Sequence, residues 1–339
     1  MLHLPNIPIP DPLKVTFLVD PNDHGLMLAL ELIKQFTMTR NRILYIFIVF
    51  LIAAQVYGQQ KEGDGSTSLK VISYNIWNGF EYGKDADRRG KVIDWIDAQK
   101  PDVVALQELC DFNEEKLSEL AKAWGHPYSE LLKTSGYPVG ITSTKPIIIK
   151  ERILENMHHG ALHCQVGGID FFVIHFSPFS YVKRHEETEI ILSKLSEVRT
   201  RQDMYLVLGD FNALSPFDAD YYKDKKEMLE SMRKSEIQHD HIRNLSDEKL
   251  EYGAISNYLS FPLIDVVQRF TLGLEQRISC PTQVFEKDKG EGRHPNSKRI
   301  DFIMASPFLA EACVYAVVAN GPETYYLSDH YPVLAGFEF

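Results

Sequence analysis

The chain is poor in cysteine, has no excess of basic residues and contains no long apolar run, and each shortage removes a class of protein. Its 339 residues hold four cysteines, Cys110, Cys164, Cys280 and Cys313, far apart and without a CxxC pair. The spacing specifies no disulfide, and buried free thiols suit these positions as well as a bridge does. Lys and Arg number 36 against 47 Asp and Glu, a net charge of −11. A chain so acidic does not wrap nucleic acid over its whole surface, although a local basic cleft is still allowed. The apolar stretch Ile43–Ala54 falls short of the ~20 residues that span a bilayer. From Leu69 to Phe339 there is neither a repeat nor a low-complexity break. What remains, 44% hydrophobic and 24% charged, is a globular composition with material for a sizeable core.

The N-terminal part has its own logic. Arg40 and Arg42 precede the apolar stretch, and the small residues Val56 and Gly58 follow it at positions suited to signal peptidase. Residues 38–58 therefore read as a signal peptide, or as a signal anchor if cleavage does not occur. Residues 1–37 form an extension without a catalytic pattern, and Met38 offers a second start. The mature chain is expected to begin near Gln59, with a polar, Gly-rich linker over 59–68 and one domain over 69–339. Residues 1–58 carry four basic and four acidic side chains, so the mature protein keeps 32 against 43. The expected location is secreted or periplasmic, membrane-anchored if the signal stays.

Within 69–339 the pattern alternates. LKVISYNI reads as a strand, ADRRGKVIDWIDAQ as an amphipathic helix stopped by Pro101, and VVALQEL as a buried strand. Asp111 and Glu114 form a capping-box pattern for a helix ended by Gly125. GALHCQV and DFFVIHF flank Gly167-Gly168, a hairpin signal. A helix over EETEIILSKLSEVRT and the strand MYLVLGD follow. Residues 217–260 are polar and read as an insertion beside the site; RIDFIMA, ACVYAVVA and PVLAGFEF return to strands. Without a strict βαβ rhythm, this favours an α/β (α+β) fold of two mixed β-sheets packed face to face with helices outside.

Polar residues punctuate the ends of these apolar runs. They are Asn75 (SYNIW), Glu108 (ALQEL), His175 (VIHFS), Asp210 and Asn212 (GDFNA), Asp301 (RIDFI) and Asp329-His330 (LSDHY). Buried strands that each deliver a carboxylate, amide or imidazole at one end make the rim of an active site. So many acceptors would repel one another unless a divalent cation sat among them.

In order and spacing, Asn, Gln-Glu, His, Gly-Asp-Phe-Asn, Asp and Ser-Asp-His over residues 71–332, the chain resembles the endonuclease/exonuclease/phosphatase superfamily of metal-dependent phosphoesterases. The resemblance implies a four-layered sandwich with the site at the top of the two sheets. It implies Mg²⁺, or Mn²⁺ in its place, held by Glu108 with Asn75 and Asp329. Asp210 would orient and deprotonate the attacking water, and Asn212 would hold Asp210 or a phosphate oxygen. His330 would contact the phosphate, with Asp301 fixing its tautomer. His175, in H-x-x-P, would donate to the phosphate or protonate the leaving oxygen.

Other residues point less sharply. His158, His159 and His163 lack a clean ligand spacing; His159 is the one expected to line the cleft and bind substrate. His239-Asp240-His241 reads as a solvated face. Arg293, Lys298 and Arg299 precede Asp301, and Arg299 is the residue expected to steer an anionic substrate. Trp77 stands where the family's abasic-site nucleases carry Asp, closer to the neutral sphingomyelinase pattern. Ser135 aligns with the carboxylate that partners the first histidine in pancreatic-type deoxyribonucleases, which leaves the partner of His175 open.

The function expected is hydrolysis of a phosphate ester, a phosphodiester above a monoester. The substrate is a lipid head group, a sugar or inositol phosphate, or nucleic acid. The protein is expected to act as a monomer without an obligate protein partner. Its alternatives are an extracellular nuclease acting on DNA or RNA, and a catalytically silent binding protein on the same scaffold.

Overall fold

Strands β1 (Ser68–Asn75) and β2 (Val103–Gln107) run parallel at the centre of one sheet, and their register shows why the sequence folds in layers. Val71, Val103 and Ala105 point into a core shared with the other sheet, whereas Ile72, Tyr74, Val104 and Leu106 point outward to helices. Successive strand residues face opposite sides, so a strand buried on both faces has no polar alternation and reads as VVALQ. A computed structural model describes residues 67–286 and 296–339. The expected extension, signal and most of the linker, residues 1–66, lie outside the described residues, as does Arg293.

The first sheet has the order β13-β14-β1-β2-β4-β3, adding β3 (Tyr128–Leu131), β4 (Gly140–Ser143), β13 (Cys313–Val318) and β14 (Val333–Glu338). The second has the order β11-β12-β8-β7-β6-β5. It comprises β5 (Ile147–Ile153), β6 (Ala161–Val166), β7 (Ile169–His175), β8 (Tyr205–Asp210), β11 (Ile264–Asp265) and β12 (Asp301–Ala305), while β9 (Leu245–Ser246) and β10 (Lys249–Leu250) pair separately as a short hairpin. Each sheet is mixed, with β1 parallel to β2 and β7 parallel to β8. Phe171, Val173, Leu206, Leu208 and Ile303 meet Val71, Val103 and Ala335 between the sheets. Helices α1 (Ala86–Gln99) and α2 (Glu114–Ala123) cover the outer face of the first sheet. Helix α3 (Tyr181–Arg199) covers the second. The expected four-layered sandwich is the observed one, formed within the compact unit Ser66–Phe339. Among the described residues no helix is long and apolar enough to cross a membrane.

Two local expectations change. Helix α2 is capped by Asn113, whose side chain accepts from the Lys116 N–H at 2.8 Å, and not by Asp111. The polar stretch 217–260 contributes more than a cover: Ala254, Ile255 and Tyr258 of its last helix (Gly253–Ser260) are buried against Phe176 and Phe211. The cysteines are all free, and Cys110, Cys164 and Cys313 are buried.

Candidate active site

Strand register sets the geometry. His175 and Asp301 each sit directly opposite Asp210, on the two strands that flank β8. Gly209 makes this possible: it has φ of 143°, and a side chain there would strike the Ile174 carbonyl of the neighbouring strand. On the other sheet Asn75 pairs with Gln107, which brings Asn75 beside Glu108.

Asp210 is the hub. Its Oδ2 lies 3.3 Å from Asn75 Nδ2, 3.6 Å from His175 Nε2 and 3.8 Å from His330 Nε2. Its Oδ1 accepts from the Asn212 N–H at 2.8 Å. Burial, reinforced by the Asp301 charge, pushes the Asp210 carboxyl up to about 7. His330 Nδ1 donates to Asp301 Oδ2 at 2.8 Å. Burial alone would lower this imidazole, but Asp301, Asp329 and Asp210 outweigh it and hold His330 well above its ordinary range. His175 goes the other way: burial and the neighbouring His330 charge push it down to about 3, only partly offset by the Tyr137 backbone. One site thus holds a cationic imidazole and a neutral one on either side of a carboxylate.

Glu108 is fixed on both oxygens. Asn75 Nδ2 donates to Oε1 at 3.1 Å, and the Asn78 N–H donates to Oε2 at 2.7 Å. The Asn75 Oδ1 accepts from the Trp77 N–H at 3.1 Å, so Asn75 organises two carboxylates with its amide and turns its oxygen to the backbone. The segment Trp77–Tyr82 winds left-handed, with φ between 50° and 60° at all six residues. Such backbone costs about 1–2 kcal/mol at each residue other than Gly79. Arg88 holds it by donating to the Ile76 and Trp77 carbonyls at 2.7 and 2.9 Å, its guanidinium lying over the Trp77 and Phe80 rings. Nothing in the sequence marked Arg88, a helix residue, or Asn78 for this work.

The donor set suits a hard divalent cation. Glu108, Asp210, Asp301 and Asp329 converge, and burial with the Glu108 charge pushes Asp329 up to about 6. Carboxylates that raise one another's affinity for protons have a similar use for a cation. Asp210, Asp301 and His330 offer ligand atoms within 4.8 Å of one another, although His330 Nδ1 is already committed to Asp301.

Ser328 ties the last motif to the first strand: its hydroxyl donates to the Asn75 carbonyl at 2.7 Å, with Asp329 Oδ1 at 3.3 Å as the second acceptor of the same proton. Ser279 Oγ accepts from the Ile300 and Asp301 N–H groups at 3.0 and 3.1 Å, fixing Asp301 from a segment that carried no signal in the sequence. Asn212 turns its side-chain N–H to the Phe176 carbonyl at 3.0 Å, so it braces the loop after His175.

His159 is at the site. Its ring stacks on His175 with centroids 4.1 Å apart and 23° between planes, and Tyr137 lies 5.4 Å away. His158 and Phe179 continue the row of rings. Burial, then the neighbouring His175 and His158, push His159 down to about 2. His163 belongs elsewhere, stacked on Phe172 and bonded to Asp170 at 2.5 Å. His239 and His241 are exposed, as a solvated face should be. Arg299 does not line the cleft. It is 0% exposed, with Nε 2.7 Å from Asp218, a terminal nitrogen 2.7 Å from Asp265, and the guanidinium over Phe302. Arginine stays charged when buried, and here two carboxylates and an aromatic face take the place of water.

The sequence model described as "Endonuclease/Exonuclease/phosphatase family" matches residues 72–330. No curated protein matches the chain. Among solved structures, a 3′ phosphatase from Neisseria bound to product DNA hairpin is similar at a TM-score of 0.57 and 21% identity, over 80% of this chain and 100% of that one. An AP endonuclease from Archaeoglobus fulgidus gives 0.55 and 21%, over 79% and 99%. An endonuclease/exonuclease/phosphatase from Bacteroides vulgatus gives 0.55 and 15%, over 80% and 99%. At these identities the likeness is one of fold.

Proposed function

The chain belongs to the endonuclease/exonuclease/phosphatase family, whose members are metal-dependent hydrolases of phosphoester bonds, and from that premise we propose a secreted, Mg²⁺-dependent phosphodiesterase. The observation that carries the reading is the position of Asp210, reached by one amide and two imidazoles of opposite charge state.

A phosphodiester is anionic and repels hydroxide, so hydrolysis needs a cation on its oxygens, a base for water and donors for developing charge. Glu108 and Asp329 are the carboxylates proposed to hold Mg²⁺, or Mn²⁺, with Asn75 aligning Glu108. The metal, when bound, neutralises phosphoryl oxygen charge. Asp210 takes the proton from water; its carboxyl, held at about 7, is half ionised near neutral pH and well matched to a general base. His330 stays protonated through Asp301 and donates to a phosphoryl oxygen. His175, neutral, offers a hydrogen bond without adding charge. The retention of Glu108, Asp210 and His330 argues against a silent binding protein.

Export rests on residues 38–58, and direct sequencing of the N-terminus of the exported protein tests it. A monomer without an obligate protein partner is the simplest form consistent with this reading. A second reading, an extracellular nuclease, is favoured by the partly exposed rings of Tyr137, His158 and Phe179 around the buried His159–His175 stack. Neutral rings stack on bases, and Lys133 bears on His158 and His159 from nearby. The Neisseria relative bound to product DNA hairpin supports it.

The deciding experiment assays the purified protein, with and without Mg²⁺, on bis(4-nitrophenyl) phosphate, 4-nitrophenyl phosphate, plasmid DNA, sphingomyelin and a phosphoinositide. His330→Ala runs beside it. Mg²⁺-dependent turnover of the diester, abolished in the variant, is the expected result. Turnover of the monoester alone would overturn the diester reading, and cleavage of DNA above every other substrate would favour the nuclease.

A further inference from the structure

Glu187 lies in the first half of α3 and is 0% exposed, a carboxylate buried away from water. Burial pushes its carboxyl up to about 7, against Lys183, Arg184 and two backbone donors. Those donors explain its presence. One carboxylate oxygen accepts from the His158 N–H at 2.7 Å, and the other from the Ser177 N–H at 2.9 Å.

The two segments are the ones that carry the stacked rings. His158 immediately precedes His159, and Ser177 follows His175 by two residues. The His159 and His175 rings are in face-to-face contact, centroids 4.1 Å apart. Arg184, one turn earlier on the same helix, donates to the Ser177 carbonyl at 2.9 Å and to Asn244 at 2.8 Å. The Ser177 residue is therefore held through both its backbone groups by one helix. Only a carboxylate offers an acceptor to both N–H groups at once; an amide presents a donor to one of them, and an apolar residue leaves both without a partner.

We propose that Glu187 is a positioning residue for the hydrolytic reaction, clamping the backbone at Ser177 and His158 so that His175 is held against His159 and pointed at Asp210. The inference rests on the reading that His175 serves in phosphodiester hydrolysis. It adds a residue outside the cleft to the machinery that reading requires.

The test is a double-mutant cycle on the full chain with bis(4-nitrophenyl) phosphate at saturating Mg²⁺. Glu187→Gln is expected to lower kcat by about ten- to hundredfold, the scale of a small misplacement of a reacting group. KM and the Mg²⁺ midpoint should hold, because Glu108 lies on the other sheet. In a His175→Ala background the same change should cost less than about twofold, since residues acting through one another are not additive. An equal loss in both backgrounds would overturn the proposal and leave a general structural role. Should Glu187→Gln not fold, Glu187→Asp, which keeps both acceptors on a shorter arm, enters the cycle under the same criterion. An NMR readout needs no substrate: in the Glu187→Gln protein the His158 and Ser177 amides exchange faster and the His175 ring signals shift, while those of His330 stay. Unchanged His175 signals would refute the clamp even if the wild-type protein hydrolysed none of the diesters tried, and shifted signals in an inactive protein would fault the functional reading alone.

Discussion

Asp301 faces His330 through a 2.8 Å contact between Oδ2 and Nδ1, while its backbone sits opposite Asp210 in the strand register. One aspartate thus fixes an imidazole whose far nitrogen reaches the carboxylate it flanks, 3.8 Å away. Replacing Asp301 by Asn keeps the shape and removes the charge that outweighs burial at His330. Asp301→Asn is expected to lower kcat by about 10²–10⁴-fold with little change in KM, because the imidazole loses its charge and the partner that fixes its ring orientation. Steady-state kinetics at saturating Mg²⁺ measure it, and a loss confined to KM would mean that the pair binds substrate without taking part in the chemistry.

The metal roles can be ordered by affinity. Asn75 donates to Glu108 without offering its own oxygen, so Asn75→Ala should weaken Mg²⁺ binding by about 10–100-fold, as loss of a ligand's partner does. Glu108→Gln should weaken it more. Mg²⁺ titrations followed by calorimetry give the order, and a larger effect at Asn75 would make the amide the direct ligand.

The acid groups of the site predict an unusual dependence of stability on pH. In the metal-free protein burial holds Asp210 at about 7 and Asp329 at about 6, both above the ordinary aspartate value of about 3.9. Between about pH 4 and pH 7 the folded state binds more protons than the unfolded chain. The stability these groups supply is complete below that window and is lost as pH rises through it, each pKa unit amounting to about 1.4 kcal/mol. Glu187, at about 7, adds to the same fall. With chelator present the melting temperature should decline from pH 4.5 to pH 7.5 more steeply in wild type than in Asp210→Asn. Mg²⁺ should raise it more at pH 7.5 than at pH 5. Equal slopes for the two proteins would show that Asp210 is ionised throughout.

What could be read from the sequence follows from where polar groups interrupt apolar runs. Asn75, His175 and Asp210 close strands, Glu108 follows one and Asp301 opens one, and because these strands are buried on both faces a continuous apolar run broken by a polar residue makes the positions visible. Residues that act from the side were not visible. Glu187 sits among EETE on a helix with the charge of a solvated face, and Arg88 in ADRRG looks the same. Ser279 acts through a hydroxyl that accepts two backbone N–H groups, which no residue type announces. The left-handed run from Trp77 to Tyr82 contains one glycine, Gly79, in six residues, so local propensity gave no warning of it.

Arg299 shows how a charge misleads when its partners are distant in sequence. Asp218 and Asp265 lie 81 and 34 positions before it, and the Arg277 guanidinium reaches the same Asp218 at 2.9 Å. The four charges are buried and close to balance, two cations against two anions, so the group is stable only while intact. Arg299→Leu leaves two buried carboxylates with one cation, and breaking such a pair from one side costs about 3–5 kcal/mol. The melting temperature of Arg299→Leu should fall accordingly, while KM and kcat, measured where the variant is still folded, should stay close to wild type. A substrate-binding arginine would behave in the opposite way, with KM raised and stability held, so one pair of measurements separates a residue that joins the 217–260 stretch to the second sheet from one that steers an anion.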